Sequence, residues 1–426
     1  MLYSFVEMTR AAMLPWRAAA NITRRSLRNP LNPAGDTLAG RATAAAADLF
    51  ESLTRYYGKP DWGLGPTDVN GSPVEHTIET VWSQPFCNLL HFKRDRAALA
   101  RARSVTQGEI ADPKVLIVAP MSGHHATLLR GTVEAFLPDS EVYVTDWTDA
   151  RHVPVLEGRF DLDDYVQYVR EMIAAVGEDV HVAAVCQPGP PTLAAIALMA
   201  EDDDPARPAS MTFMGSPIDA RKSPTVPNKL AEERPFEWFR DNLIYTVPTL
   251  YPGAMRRVYP GFLQLTGFIN MNYDRHVDAH WNFFNRLIDG DGDSTEKHRA
   301  FYDEYLSVMD LTEEFYLQTI RDVFQEHTLA RGTMTVKGRP VRPEAITDVA
   351  LLTVEGENDD ISGIGQTQAA HTLCAKIPDA LRVDYVQPGV GHYGVFNGRR
   401  FREEIAPKMK AFMRKHAGRN GLKQAA

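Results

Sequence analysis

Between about residue 77 and residue 221, short apolar runs alternate with longer segments of helical spacing. Each run is brief and rich in β-branched residues, which is typical of a strand buried on both faces. The segment between the second and third runs repeats apolar residues at Tyr165, Val169 and Met172, on one side of a helix. This alternation predicts a mostly parallel sheet with helices on both faces. The runs are Lys114–Ala119, Glu141–Asp146, Val182–Val185 and Ser210–Gly215.

The alternation stops after residue 221 and resumes near residue 349. Residues 222–332 instead carry helical and loop segments rich in Trp, Tyr and Phe. An insertion between two strands of an α/β core most simply forms a cap over the strand ends, where such sheets hold their ligands. We therefore expect a helical N-terminal arm over residues 1–75, an α/β core made of residues 76–221 and 333–426, and a mainly helical cap over residues 222–332.

Composition narrows the class of protein. A chain of 426 residues with 44% hydrophobic content can bury a large core, and its net charge of -9 argues against nucleic-acid binding. Cys87, Cys186 and Cys374 are far apart, which fits a reducing compartment and neither a disulfide framework nor a zinc site. No apolar run approaches the roughly 18 residues that span a bilayer. His276 and His280 are one helical turn apart, but they lack the Glu of a zinc-protease motif. We therefore predict no metal site, and we also predict no cofactor.

The first 45 residues carry six arginines against two acidic residues. Such an arginine-rich, acid-poor start is found in mitochondrial transit peptides. The alternative is a helical arm that packs on the body or contacts a surface. We favour the arm, because Leu2–Val6 already has the apolar character of a segment that packs in a core.

The stretch Val180–Thr192 passes from an apolar strand through Cys186 directly into a run of strong helix formers. A tight strand-to-helix turn of this kind is the geometry of a nucleophile elbow, which raises one reactive side chain above a sheet. Ala184 supplies one small flanking residue, and Pro188 stands where glycine is usual. A buried, inert cysteine is the alternative reading of Cys186.

A thiol nucleophile at neutral pH needs a base to form the thiolate, and the base needs an acid to orient it. Two further apolar runs, which predict strands, follow where the alternation resumes near residue 349. Asp359 comes after the first of these runs, and His392 comes after the second, in a glycine-rich loop. Nucleophile, acid and histidine then occur in the chain order of the α/β-hydrolase layout. Asp360 and Asp219 are alternative acids.

An oxyanion intermediate calls for two backbone N–H groups. One is expected from Gln187, directly after the nucleophile, and the other from Met121 or Ser122 in the loop after the first parallel strand. His124 or His125 of the same loop, and Trp147, are candidate pocket residues.

These segments resemble the intracellular polyhydroxyalkanoate depolymerases, bacterial enzymes that mobilise stored poly(3-hydroxybutyrate). The resemblance runs nearly end to end and implies Cys186 as nucleophile, Asp359 as acid and His392 as base. The matching segments are Met1–Tyr3, Pro85–Asp95, Ala119–His124, Ala126–Thr132, Asp146–Trp147, Val185–Pro188, Thr353–Glu357, Asp359–Ile361 and Gly391–Tyr393.

Polyhydroxyalkanoate synthases are similar and carry the same thiol triad. Their acid stands just before a His-Ile pair that matches Asp360–Ile361, which favours Asp359 as the acid here. Their elbow resembles Gly-x-Cys-x-Gly, whereas this chain has Ala184 and Pro188 at the glycine positions. That departure favours a depolymerase over a synthase-like acyltransferase.

The resemblance implies a cytoplasmic hydrolase at the surface of polyester storage granules, which cleaves the polymer through a 3-hydroxyacyl thioester on Cys186. Water or coenzyme A releases the acyl group, and we expect water. The alternatives are the synthase-like acyltransferase and a catalytically inactive granule-binding protein. Neither a homo-oligomer nor a monomer is predicted, nor is the length of the product.

Overall fold

The computed structural model describes residues 2–271 and 302–418. The strands, numbered along the chain, are β1 Thr67–Val69, β2 Ser72–Val74, β3 His76–Gln84, β4 Cys87–Arg94, β5 Lys114–Val118, β6 Glu141–Trp147, β7 Val180–Val185, β8 Ser210–Met214, β9 Tyr245–Thr246, β10 Arg257–Tyr259, β11 Leu311–Thr312, β12 Thr335–Val336, β13 Arg339–Pro340, β14 Ala350–Gly356 and β15 Arg382–Gln387. The α-helices are α1 Leu2–Ala12, α2 Leu14–Leu27, α3 Leu38–Thr54, α4 Arg96–Arg103, α5 Arg130–Phe136, α6 Leu162–Val176, α7 Gly189–Glu201, α8 Val226–Glu233, α9 Phe236–Leu243, α10 Gly261–Met271, α11 Glu313–Thr319, α12 Ala369–Leu373, α13 Gly398–Arg400 and α14 Ala406–His416.

Eight of these strands form one sheet, in the order β15–β14–β8–β7–β5–β6–β4–β3. The six strands from β15 to β6 are paired in parallel, β4 is antiparallel to β6, and β3 is antiparallel to β4. A mostly parallel eight-stranded sheet, with one antiparallel strand near its start and two neighbouring strands exchanged in order, is the α/β-hydrolase fold. The predicted fold class is therefore confirmed.

Continuous apolar runs explain the centre of this sheet. Every residue of β7 and of β14 is buried, as expected for parallel strands with helices on both faces. Helix α7, which follows β7, is apolar nearly all round and is also buried, whereas α6 has a polar outer side. Helices α6 and α7 pack together, and α14 packs with α5 and against β8 and β14.

The chain between β8 and β14 lies partly outside the described residues. In its described part, α8, α9, α10 and α11 are accompanied by a small antiparallel sheet of β9, β10 and β11. A π-helix, Ile320–Gln325, continues α11. The tandem histidines His276 and His280, and the aromatic residues Tyr273, Trp281, Phe283 and Phe284, lie outside the described residues.

The first 54 residues contain α1, α2 and α3, of which α2 and α3 pack together. Arg24 pairs with the buried Asp48 at 2.6 Å across these two helices. Helix α1 is tied to the body by the Tyr3 hydroxyl, which donates to Asp310 at 2.5 Å. Across the described ranges, no helix has the length and apolar character needed to cross a membrane.

Candidate active site

Cys186 occupies the turn between β7 and α7 and has a φ of +68°. A non-glycine residue in this left-handed region costs roughly 1–2 kcal/mol, and such strain is characteristic of a nucleophile elbow. The turn is held by the Cys186 N–H, which donates to the Met214 carbonyl at 2.8 Å, and by the Gly189 N–H, which donates to the Cys186 carbonyl at 3.1 Å.

The proline of this elbow has a simple geometric reason. Pro188 is the N-cap of α7 with a φ of -59°, a value that the proline ring itself prefers. The close approach that calls for glycine falls one residue later, because a Cβ on Gly189 would lie 2.4 Å from the Cβ of Ser216. Proline at 188 therefore fits this turn without strain.

His392 and Asp359 meet beyond the ends of β15 and β14. The Nδ1 of His392 lies 2.8 Å from the Oδ2 of Asp359, and the side chain of Asp359 has no exposed surface. The other oxygen, Oδ1, accepts the N–H groups of Ile361 at 2.9 Å and Ser362 at 2.8 Å. These bonds fix the carboxylate, which in turn fixes the imidazole ring.

The two alternative acids have other surroundings. Asp360 is exposed, and its neighbour Asp359 makes the contact with His392. Asp219 is buried and forms an ion pair with Arg221 at 2.7 Å. Of these three aspartates, only Asp359 is hydrogen-bonded to His392.

Cys186 and His392 line the same cavity, so the thiol and the imidazole are neighbours there. Burial alone disfavours the imidazolium. The negative charges of ionised Cys186 and of Asp359, with their hydrogen bonds, outweigh burial and raise the pKa of His392 well above its usual range. The arrangement thus favours an imidazolium at His392 whenever Cys186 is ionised, and it can move a proton between sulfur and nitrogen.

Gly215, which follows β8, allows this pair to form and was not predicted from the sequence. Its φ is +53°, and a Cβ there would lie 3.1 Å from Cε1 of His392 and 3.2 Å from Oδ2 of Asp359. The histidine–aspartate pair therefore passes directly over the Cα of this glycine. The only sequence signal for it is that a glycine ends the predicted strand Ser210–Gly215.

A cavity of about 230 Å³ lies against Cys186. Met121, Ser122 and Gln187, the three residues predicted to supply oxyanion N–H groups, all line it, together with His392. Its walls are largely apolar. They include Leu128, Phe315, Phe324 and Phe396, and the stacked pair Tyr259 and Tyr316, whose ring centroids are 4.0 Å apart.

The three other candidate pocket residues, His124, His125 and Trp147, differ in whether they line this cavity. His124 lines the cavity, with its Nε2 3.0 Å from the Tyr305 carbonyl oxygen, and burial lowers its pKa to about 4. His125 is buried beside it but is not part of the lining, and burial lowers its pKa to about 3. Trp147 is not part of this cavity lining: its side chain is in the core, stacks on Tyr165 at 4.2 Å and donates its indole N–H to the Ala119 carbonyl. Trp147 is the last residue of a buried strand, so its ring packs under α6.

Among the described residues, no group of three or more His, Cys, Asp or Glu side chains is arranged to hold a metal ion.

Residues 215–417 match the model of the PHB de-polymerase C-terminus. Curated protein sequences include no match to the chain.

Many solved structures share the fold. A 2-hydroxy-6-oxo-6-phenylhexa-2,4-dienoate hydrolase from Rhodococcus sp. strain RHA1 is 12% identical, covers 80% of this chain and 99% of its own, and has a TM-score of 0.42. A monoacylglycerol lipase from Paleococcus ferrophilus is 13% identical, covers 72% and 97%, and also has a TM-score of 0.42. At these values the likeness concerns the fold alone.

The family match spans β14, β15, Asp359 and His392, and its first residue is Gly215. The resemblance predicted from the sequence is thereby confirmed. Over residues 215–417 the chain is therefore similar to the PHB depolymerases, and this match supports a carboxylic ester hydrolase.

Proposed function

We propose that the chain is a depolymerase that hydrolyses the ester bonds of a poly(3-hydroxybutyrate)-type storage polyester, with Cys186 as nucleophile, His392 as base and Asp359 as acid. One observation carries this proposal. Cys186 stands on a left-handed turn and lines one cavity with a histidine that a buried carboxylate holds at 2.8 Å.

In the first half-reaction, His392 accepts the thiol proton and the sulfur of Cys186 attacks the ester carbonyl carbon. The carbonyl oxygen becomes an oxyanion, which the N–H groups of Gln187 and of Met121 or Ser122 stabilise. The carbon–oxygen bond of the ester then breaks. The leaving alkoxide takes the proton from His392, and a 3-hydroxyacyl thioester remains on sulfur.

In the second half-reaction, water attacks the thioester while His392 accepts its proton. A second oxyanion forms at the same place and collapses, the carbon–sulfur bond breaks, and the carboxylic acid product leaves. The thiolate of Cys186 then recovers the proton from His392. We choose water over coenzyme A as acceptor, because residues 215–417 match the model of a de-polymerase. The described part of residues 222–332 contributes Tyr259, Phe315 and Phe324 to the cavity wall, and these side chains shield the thioester.

The polymer is a solid, so the enzyme must adsorb to it, and the N-terminal arm has a suitable face. Helices α1 and α2 are joined by helical hydrogen bonds through Met13. Phe5, Met8, Trp16 and Ile22 fall on one side of this joined helix and are between 66% and 71% exposed. We propose that this apolar stripe contacts the polyester at the granule surface, where the protein resides in the cytoplasm.

The test uses amorphous poly(3-hydroxybutyrate) granules and two cysteine variants. Cys186→Ala should abolish the release of 3-hydroxybutyrate while granule adsorption is retained. Cys374→Ala, a matched change at a buried cysteine outside the cavity lining, should release product like wild type. Undiminished release by Cys186→Ala would refute the triad. Polymer formation from 3-hydroxybutyryl-coenzyme A alone would instead identify a synthase.

A further inference from the structure

Four side chains that line the catalytic cavity have polar atoms without a hydrogen-bond partner among the described residues, and besides the half-buried Gln264 three of these side chains are buried. Their unpartnered atoms are both amide atoms of Gln187, the Nδ2 of Asn228 and the hydroxyl of Thr319. The three residues are only 8%, 1% and 7% exposed, respectively. A buried polar group that lacks a partner destabilises a protein, so three of them around one cavity indicate that a ligand supplies the partners.

Asn228 presents a donor of fixed orientation. Its Oδ1 accepts the N–H and the hydroxyl of Thr225, at 2.9 and 2.8 Å, and the side-chain amide of Gln366 at 2.8 Å. Because a backbone N–H can only donate, the oxygen of Asn228 must be on that side. The NH₂ group is therefore left as a donor at the cavity wall.

Thr319 lies at the point where α11 changes into the π-helix. A helical threonine ordinarily bonds its hydroxyl to a preceding backbone carbonyl, but the Oγ1 of Thr319 has no such partner. Ile320 and Phe324 of the π-helix line the same cavity. π-Helical turns occur frequently at functional sites.

Gln187 directly follows the nucleophile, so its side chain is close to the reacting carbonyl. Its amide offers both a donor and an acceptor, whereas the surrounding walls are mainly apolar. Such a lining suits a chain in which hydrocarbon alternates with oxygen atoms. A simple fatty acyl chain would leave all three polar side chains unpaired.

We propose that Gln187, Asn228 and Thr319 form a polar subsite that binds the oxygen on C3 of the acyl chain, and so selects 3-oxyacyl esters over unsubstituted acyl esters. This inference rests on the proposed function and adds the residues that set its specificity. A site built to hydrogen-bond a substrate oxygen discriminates against the analogue that lacks it, because the buried groups of the site are then left unpaired.

The experiment compares two soluble esters that differ in one hydroxyl, p-nitrophenyl 3-hydroxybutyrate and p-nitrophenyl butyrate. Wild type should favour the hydroxy ester in kcat/KM by roughly tenfold or more. Thr319→Val, Gln187→Met and Asn228→Asp should each reduce that ratio several-fold. Asn228→Asp keeps an oxygen that can accept the Thr225 N–H and replaces the NH₂ donor by a second acceptor oxygen, with one added negative charge.

Thr192→Val is the matched control, because the Thr192 hydroxyl is also buried without a partner but is not part of the cavity lining. It should keep the wild-type ratio. A wild-type ratio near one, or a ratio that none of the three cavity variants lowers, would overturn the subsite.

The two proposals fail in different ways. Hydrolysis of both esters at equal rates would contradict the subsite alone, whereas hydrolysis of neither would contradict the proposed function. Binding of methyl 3-hydroxybutyrate and methyl butyrate to the Cys186→Ala protein, measured by NMR titration, tests the subsite without turnover. Tighter binding of the hydroxy ester would support it, and equal binding would overturn it.

Discussion

Replacing Gly215 by alanine tests whether the contact between His392 and Asp359 controls activity. The new Cβ would meet Cε1 of His392 at 3.1 Å and Oδ2 of Asp359 at 3.2 Å. Both distances are shorter than ordinary carbon contacts, so the imidazole or the carboxylate must move by a few tenths of an ångström. The substitution therefore disturbs the pair without removing either member.

Two effects of different size should follow. Alanine at a φ of +53° should lower the free energy of unfolding by about 1 kcal/mol. A displacement of about 1 Å at a catalytic group can reduce the rate roughly 100-fold, so a shift of a few tenths should reduce kcat/KM by about tenfold. Activity should thus fall much more than stability.

Gly63→Ala separates the two effects. Gly63 has a φ of +56°, and the atom nearest to a Cβ added there would be the Asp61 carbonyl oxygen at 3.8 Å, which is no clash. Both variants are assayed by denaturant unfolding and by hydrolysis of p-nitrophenyl butyrate. Both should lose similar stability, and only Gly215→Ala should lose activity. A Gly215→Ala protein as active as Gly63→Ala would refute the argument.

Three further predictions concern the catalytic acid, the buried Asp310 that accepts the Tyr3 hydroxyl of α1, and the apolar stripe on α1 and α2. Asp359→Asn should lower kcat/KM by on the order of 10²–10⁴-fold, whereas Asp360→Asn should have little effect; the reverse result in the same ester assay would assign the acid to Asp360. Burial raises the pKa of Asp310 from 3.8 to about 6, so its folded form holds a proton more tightly than its unfolded form. This stabilisation is complete below about pH 4 and is lost as the pH rises through 6, which lowers the free energy of unfolding by on the order of 3 kcal/mol. Asp310→Asn should remove this pH-dependent loss from unfolding curves measured between pH 4 and 6. Trp16→Ser should weaken adsorption to granules roughly tenfold in a sedimentation assay, whereas Leu156→Ser, at a residue 98% exposed outside the arm, should not; equal losses would argue against a specific stripe.

The parallel sheet and the closeness of Asp359 to His392 could be predicted from the sequence, because both follow from the order of apolar runs and the polar residues after them. Apolar runs predicted parallel strands, and the carboxyl ends of parallel strands meet at one edge of a sheet. Polar residues that follow those runs, such as Asp359 and His392, are therefore expected to lie close together, and in the structure they do.

Other features depend on packing that no local pattern encodes. Gly215 matters because two side chains from distant loops cross over it. Asn228 and Thr319 lie in the stretch without strand alternation, where no periodicity marks which side chains face the cavity. Trp147 directly follows the predicted run Glu141–Asp146, but in the structure it is the last residue of β6 and its large ring is packed in the core.

The most direct test of the central claim is peptide mass spectrometry after an acid quench of the enzyme turning over 3-hydroxybutyrate oligomers. The account predicts a 3-hydroxybutyryl group in thioester linkage on the peptide that contains Cys186, and its absence from the peptides with Cys87 and Cys374. Active turnover without an acyl group on Cys186, or with the acyl group on another residue, would contradict it.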